Sequence, residues 1–321
     1  MTFKRGFVLG KFMPPHAGHV SLCRAAEGMV EELTILVCSL PDDPISGEQR
    51  LGWMRELFPY ARVEWINRVV PQAPEDSPDF WPIWSDIVRE YHPEPIDLVF
   101  AGEAYGERLA AEVGGTFVPF LREESGLFAD ISATKVRGNQ AAHWHHLPTR
   151  VRREWVKTVA LHGVESVGKS TLAKELAERL GTQWVSEYGR AHCEVHGTDL
   201  GQEGLQLIAA AHQAQIEAAK EWSGPILISD TDWVMTAGWS EMILSEPLGG
   251  PTYPLADLYL HLPPDLPWVD DGARIYGEEE ERQRFDAICR NELANRGCNV
   301  VTLDAPFDQR IDQALAAIAA L

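Results

Sequence analysis

Gly163-Val164-Glu165-Ser166-Val167-Gly168-Lys169-Ser170 fits G-x-x-x-x-G-K-[ST], the P-loop pattern. Residues 156–161, just before it, read as a strand, with Val156, Val159 and Leu161 apolar. Residues 171–180, just after it, carry Leu172, Leu176 and Leu180 at helical spacing. The loop therefore lies between a strand end and a helix start, where its turning backbone can aim N–H groups at phosphate oxygens. The helix N-terminus adds partial positive charge there. Lys169 would reach the outer phosphates and Ser170 would hold Mg²⁺, with Glu165, Ser166, Val167 and Thr171 completing the wall. Chance alone gives the four fixed positions in about 1 in 100 chains of this length, and the strand–loop–helix context lowers that further. A nucleoside triphosphate site is the strongest single expectation.

A length of 321 residues suits one or two domains, and 45% hydrophobic against 24% charged residues suits a folded chain. Lys and Arg number 28 against 48 Asp and Glu, a net charge of −20. That balance disfavours nucleic acid as a partner, while a local basic site for a small phosphate ligand stays compatible with it. Cys23, Cys38, Cys193, Cys289 and Cys298 show no C-x-x-C spacing, and their odd count argues against a disulfide framework. Reduced thiols in a cytoplasmic protein are expected. Neither a signal peptide nor a membrane span is legible.

The first half alternates strands and helices. Strands are expected at 7–10, 33–40, 63–66, 97–101 and 116–121, and helices at 17–30, 49–58, 80–91 and 105–113. This predicts a parallel sheet covered on both faces. Gly10-Lys11-Phe12-Met13 leads from the first strand into His16-Ala17-Gly18-His19, outside a strand's carboxyl end where ligands bind. Gly18 permits close approach, and two imidazoles near a helix start can donate to phosphate oxygens. A second motif is Ile131-Ser132-Ala133-Thr134-Lys135-Val136-Arg137: Ser132 reads as an N-cap, leaving Thr134, Lys135 and Arg137 near the first turn.

Residues 138–153 break the alternation and read as a linker, placing a domain boundary between 138 and 155 and domains at 1–150 and 151–321. His143, His145 and His146 lie there without Cys or carboxylates at ligand spacing, which favours a surface stretch over a metal site. In the second half strands are expected at 183–186, 225–229, 257–262 and 299–303, and helices at 205–222, 234–244, 278–295 and 308–321. Glu187 and Asp230 follow strands, and Asp232 lies two residues on. Beside a P-loop such carboxylates organise Mg²⁺ or accept a hydroxyl's proton. The choice of base among the three stays open, and a helix cap competes as a role for each.

Gly10-Lys11-Phe12…His16-Ala17-Gly18-His19 together with Ile131-Ser132-Ala133-Thr134…Arg137 resembles the H-x-G-H nucleotidyltransferase superfamily. The resemblance implies a Rossmann-like domain that binds ATP through both motifs and transfers its adenylyl group without a protein nucleophile. Asp79-Phe80-Trp81-Pro82-Ile83-Trp84-Ser85 resembles the nicotinamide-mononucleotide adenylyltransferases. In them a Trp would stack on the nicotinamide ring; spacing alone leaves core packing open for Trp81 and Trp84. Arg50 is a further phosphate or ribose candidate by resemblance, and Gly102-Glu103 lies at the expected ligand edge.

Glu187-Tyr188-Gly189-Arg190, Asp230-Thr231-Asp232 and Trp268-Val269-Asp270-Asp271-Gly272-x-Arg274 resemble the NadR type over nearly the whole chain. That family fuses the adenylyltransferase to a P-loop kinase acting on the 5′-hydroxyl of nicotinamide riboside. The resemblance implies riboside-binding roles for Glu187, Tyr188, Arg190, Asp230, Thr231, Asp232 and the stretch from Trp268 to Asp271, a lid role for Arg274, and Ser170 and Asp230 as Mg²⁺ ligands. The expected architecture is a Rossmann-like nucleotidyltransferase domain followed by a P-loop kinase domain, both with parallel sheets. Functional coupling to a nicotinamide riboside transporter and oligomerisation stay open. Some relatives carry an N-terminal helix-turn-helix that represses genes. This sequence reaches its first strand almost at once, so a DNA-binding role is not expected, in agreement with its negative charge. Two readings compete. A phosphopantetheine adenylyltransferase fused to dephospho-coenzyme A kinase would not predict the tryptophan and Glu187-Tyr188-Gly189-Arg190 motifs. A non-catalytic nucleotide sensor would not need Lys169, Ser170, His16 and His19 intact.

Overall fold

The computed structural model describes residues 3–120, 131–268 and 276–321. The chain divides into two compact units, Met1–Glu154 and Trp155–Leu321. The first contains β1 (Phe3–Gly10), α1 (Ala17–Glu27), β2 (Val30–Ser39), α2 (Gly47–Leu57), β3 (Arg62–Asn67), α3 (Phe80–Tyr91), β4 (Leu98–Ala101), α4 (Tyr105–Val113), β5 (Thr116–Pro119), α5 (Ala133–Gly138) and most of α6 (Thr149–Trp155). Its five strands pair in the order β3-β2-β1-β4-β5, all parallel. Strand order reverses at β1, so the crevice beyond its carboxyl end is the expected ligand position. One face of the sheet packs a cluster around Leu22, Ile35 and Met54, the other a cluster around Trp84, Val88 and Leu109. Helix α3 sends Trp84, Ile87 and Val88 inward, an i, i+3, i+4 stripe of one helical face.

The second unit contains β6 (Lys157–His162), α7 (Lys169–Leu180), β7 (Trp184–Val185), α8 (Tyr188–His196), α9 (Gln202–Ala219), β8 (Ile226–Asp230), α10 (Trp233–Leu244), β9 (Leu258–His261), α11 (Glu279–Asn295), β10 (Val300–Thr302) and α12 (Arg310–Ile318). Its sheet order is β10-β9-β6-β8-β7, again all parallel. The P-loop strand β6 is central, and Val159 and Leu161 are fully buried in the core with Leu172 and Leu176 of α7. Helix α7 stops at Gly181, whose φ of 61° is the left-handed cap that glycine adopts cheaply.

Three expectations need correction. Helix α1 ends at Glu27, not near residue 30: the Gly28 N–H caps it, and Val30 is drawn into β2 by its pairing with Phe3. Residues 138–153 are not wholly linker, because α6 follows Pro148, with Arg150 bridging Glu56 and Glu154 at 2.6 and 2.8 Å. Helix α8 forms where no helix is expected before residue 205, and α9 begins at Gln202 and ends at Ala219. The expected strand end at Leu121 lies outside the described residues. No helix among the described residues is long and apolar enough to cross a membrane.

Candidate functional site

Each unit carries a cavity at the carboxyl end of its first strand. In the second unit, β6 runs into a loop that turns back on itself. Gly163 has φ 139°, and a Cβ there would lie 2.5 Å from the Leu262 carbonyl oxygen, so only glycine fits. Ser166 and Gly168 also take positive φ, 61° and 91°. Lys169 Nζ donates to the carbonyls of Gly163 and Val164 at 2.8 Å each, which fastens the ammonium inside the loop. Glu165, Ser166, Val167, Gly168, Lys169, Ser170 and Thr171 line the cavity together with Glu187, Arg190 and Thr231. Arg282 adds a bond from its guanidinium to the Leu266 carbonyl at 2.9 Å, tying α11 to the chain beyond β9.

Glu187 faces this cavity with its carboxyl pushed up, chiefly by burial and further by Asp230; Lys169 opposes the rise. Asp230 ends β8 and is buried, and its Oδ1 makes no hydrogen bond to any described residue. Thr231 follows at φ 73°, a strained conformation for a β-branched residue, and it lines the cavity. Asp232 does not. Its Oδ1 accepts from the Val234 N–H at 2.9 Å, capping α10, and its Oδ2 accepts from the Tyr259 hydroxyl at 2.6 Å. Burial raises its pKa to about 6 against these hydrogen bonds. Its expected part as base or metal ligand is therefore corrected to a buried helix cap.

Tyr188 and Trp268 are not in the cavity wall; Trp268 packs where a Cβ on Gly277 would meet its ring at 3.4 Å. Val269, Asp270, Asp271 and Arg274 lie outside the described residues. The aromatic face of the cavity comes from Trp239, which sequence reasoning missed. Met235, Trp239 and Ile243 repeat every four residues along α10 and line the cavity as one stripe. That spacing is present in the sequence, where the stretch is read only as a helix over 234–244. Tyr276 stacks on Trp239 at 22° with ring centroids 6.0 Å apart.

In the first unit, Gly10, Lys11, Phe12, Met13, His19, Trp81, Trp84, Gly102, Glu103, Thr134 and Arg137 share one cavity. They come from the ends of β1 and β4 and from the starts of α1, α3 and α5, so the sheet's switch point gathers them. The two histidines split their duties. His16 is buried and caps α1, its Nδ1 accepting from the Gly18 N–H at 3.2 Å. His19 reaches the cavity, and its ring lies against that of His16 with centroids 3.9 Å apart. Phe12 holds φ 47° with its ring 5.2 Å from that of His19. Ser132 caps α5 through the Lys135 N–H at 3.2 Å and is not in the wall. Arg137 donates to the Met13 carbonyl and, at 3.2 Å, to Thr134 Oγ1, which joins the two motifs.

Arg50 is not in the wall either. It is fully buried and donates to the carbonyls of Lys11 and Cys38 at 2.8 and 3.2 Å and to the Asp43 carboxylate at 2.7 Å. Its expected role as a phosphate or ribose contact is corrected to a buried tie beneath the β1 loop. Asp43 is correspondingly held below the usual carboxylate range by its Leu40 N–H and Arg50 partners, which outweigh its burial. Trp84 is buried and donates its indole N–H to the Pro71 carbonyl at 3.0 Å. Trp81 is partly exposed.

Residues 158–310 match a family described as an AAA domain. The chain is 29% identical over 342 residues to the trifunctional NAD biosynthesis/regulator protein NadR of Escherichia coli K12, covering 95% of this chain and 80% of the relative. It is 28% identical over 167 residues to the nicotinamide-nucleotide adenylyltransferase of Pyrobaculum neutrophilum, covering 49% of this chain and 89% of that one. A crystal structure of a NadR protein in complex with NR superposes at TM-score 0.74 with 21% identity, covering all of this chain and 96% of the other. With a parallel five-stranded sheet in each unit and a P-loop in the second, the chain is similar over nearly its whole length to NadR proteins.

Proposed function

We propose that the chain performs two steps of NAD salvage: unit 2 phosphorylates nicotinamide riboside with ATP, and unit 1 adenylylates the resulting nicotinamide mononucleotide to NAD. The observation that carries this reading is that each unit ends its first strand in a cavity lined both by side chains able to meet a phosphate and by a tryptophan. Lys169, Glu187 and Trp239 play these parts in unit 2, and His19, Arg137 and Trp81 in unit 1.

In the kinase cavity Lys169 neutralises the transferring phosphoryl group, and the P-loop N–H groups hold the remaining oxygens. Glu187, with its raised affinity for a proton, accepts the proton of the riboside 5′-hydroxyl as that oxygen attacks the γ-phosphorus in line. The buried, unbonded Asp230 Oδ1 and the Ser170 hydroxyl offer the hard oxygen donors that suit Mg²⁺. Such an ion would neutralise charge on the outer phosphates. Trp239 offers a π face to the cationic pyridinium.

In the adenylyltransferase cavity no side chain is needed as nucleophile. The mononucleotide phosphate attacks the α-phosphorus, and Lys11, His19, Thr134 and Arg137 stabilise the departing pyrophosphate. Trp81 is the stacking residue, since it is the more exposed of the two lining rings, while Trp84 is buried and held in place by its N–H bond to Pro71. The place of action is the cytoplasm, consistent with five free cysteines and with ATP as co-substrate. Incubation of the purified protein with ATP, Mg²⁺ and nicotinamide riboside should yield the mononucleotide and then NAD, and omission of Mg²⁺ should stop both. Turnover with dephospho-coenzyme A alone would favour the rival fusion. Binding of ATP and NAD without any product would favour a sensor.

A further inference from the structure

Helix α8 opens at Tyr188, and its N-cap residue is Glu187. The first four N–H groups of a helix lack intrahelical partners, and an oxygen-bearing side chain at the N-cap is one group that can turn back to meet them. Glu187 makes no such bond. The Tyr188 N–H instead donates to Nδ1 of His212, at 3.4 Å, a residue of α9. The other ring nitrogen, Nε2, lies 3.0 Å from Ser229 Oγ. Because Nδ1 accepts, the ring proton sits on Nε2, which donates to Ser229. His212 is buried at 1% exposure and lines the P-loop cavity, and Ser229 is fully buried. One imidazole thus joins the residue that follows Glu187 to the residue that precedes Asp230.

We propose that His212 is a positioning residue for phosphoryl transfer: by capping α8 from a neighbouring helix it relieves Glu187 of the cap and leaves its carboxylate aimed into the cavity. The inference rests on the kinase reading above. Burial lowers the imidazole pKa to about 4, so Nδ1 keeps its lone pair throughout the neutral range. A side chain serving only as filler would need the shape of the ring, not its two nitrogens. Here both nitrogens are used, each on a backbone segment that carries a site carboxylate.

Two substitutions separate the two contacts. His212→Asn keeps an acceptor near the Nδ1 position and loses the reach to Ser229. His212→Gln puts an amide near the Nε2 position and loses the acceptor for Tyr188. His212→Gln should lower kcat for riboside phosphorylation by about tenfold, and His212→Asn should restore most of it, with KM for ATP steady in both. NAD formation from added nicotinamide mononucleotide reports on unit 1 and should not change. In a Glu187→Gln background, His212→Gln should add less than about a twofold further loss, because it acts through Glu187. Amide exchange at Tyr188 should be slow in the wild type and in His212→Asn and about tenfold faster in His212→Gln. Equal kcat losses in the two variants, full additivity with Glu187→Gln, or unaltered exchange at Tyr188 would overturn the proposal. A wild-type protein that forms no mononucleotide would overturn the kinase reading instead, and the exchange measurement would still decide the cap.

Discussion

The two cavities meet the same kind of ligand, an ATP polyphosphate in the proposed reactions, by different constructions. In unit 2 the cradle is backbone. Gly163, Ser166 and Gly168 hold positive φ, and Lys169 is fastened to two carbonyls of its own loop. In unit 1 the cradle is side chain: His19 braced by His16 and Phe12, with Arg137 tied to the Met13 carbonyl across 124 residues of sequence. A backbone cradle is preorganised by a few contiguous residues, whereas a side-chain cradle depends on the packing of the whole domain. Both store strain where the ligand is expected. Phe12, Ser166 and Thr231 are three of four positive-φ residues other than glycine among the described residues, and all three line a cavity.

The sharpest way to break this comparison is to remove one phosphate-directed side chain from each site. Lys169→Ala should lower riboside phosphorylation by roughly 10³-fold or more while leaving adenylyl transfer intact, since no other described cation is held within the loop. His19→Ala should lower adenylyl transfer by about 10²-fold and spare the kinase; its loss is smaller because Lys11 and Arg137 line the same cavity and also donate to phosphate oxygens. Product analysis of each half-reaction, with its own substrate supplied, reads both. Loss of both activities in either variant would mean that the sites are not independent.

A smaller effect tests the aromatic faces. Trp81→Leu should raise KM for nicotinamide mononucleotide by about 3–30-fold with kcat held within about threefold, as expected for a cation–π contact made equally in ground and transition states. Trp84→Leu should instead lower the melting temperature of unit 1, because it removes a buried ring and the indole bond to Pro71. If Trp84→Leu moved KM and Trp81→Leu did not, the assignment of wall and stacking face would be reversed.

The legible part of the molecule follows the same division. The P-loop and its flanking strand and helix could be read from eight residues, and α3 and α4 from their apolar spacing, because local pattern and tertiary burial agree there. Arg50 could not be placed, since a positively charged residue near a ligand edge looks the same whether its guanidinium meets phosphate or oxygen partners of its own domain. His212 and Trp239 lie on long helices with ordinary apolar stripes, and nothing local separates a cavity wall from core. Helix α8 was missed because its Gly189, His192 and Val195 are weak helix formers and its stability comes from packing and from a cap supplied by another helix. Two aspartates flanking Thr231 look alike in sequence. Asp230 ends its strand with Oδ1 unbonded to any described residue, while the next helix claims Asp232.

That last pair gives the mildest prediction. Asp232→Asn should keep kinase kcat within about threefold, since the carboxylate caps α10 and meets Tyr259 instead of the cavity. Asp230→Asn should cost roughly 10²-fold or more, the loss expected for a metal-organising carboxylate. The stability of the Asp232 variant has a defined pH dependence. The folded carboxyl, raised to about 6 from the ordinary 3.8, binds a proton more tightly than the unfolded one. Its contribution to stability is therefore full below pH 3.8 and is lost as pH rises through 6. Asparagine, which cannot ionise, should gain on the wild type across that window, by about 1–3 kcal/mol at pH 7. Urea denaturation of the two proteins at pH 4.5 and pH 7 measures the difference. A variant that lost ground on raising the pH, or that lost most of its kinase activity, would return Asp232 to the reacting centre.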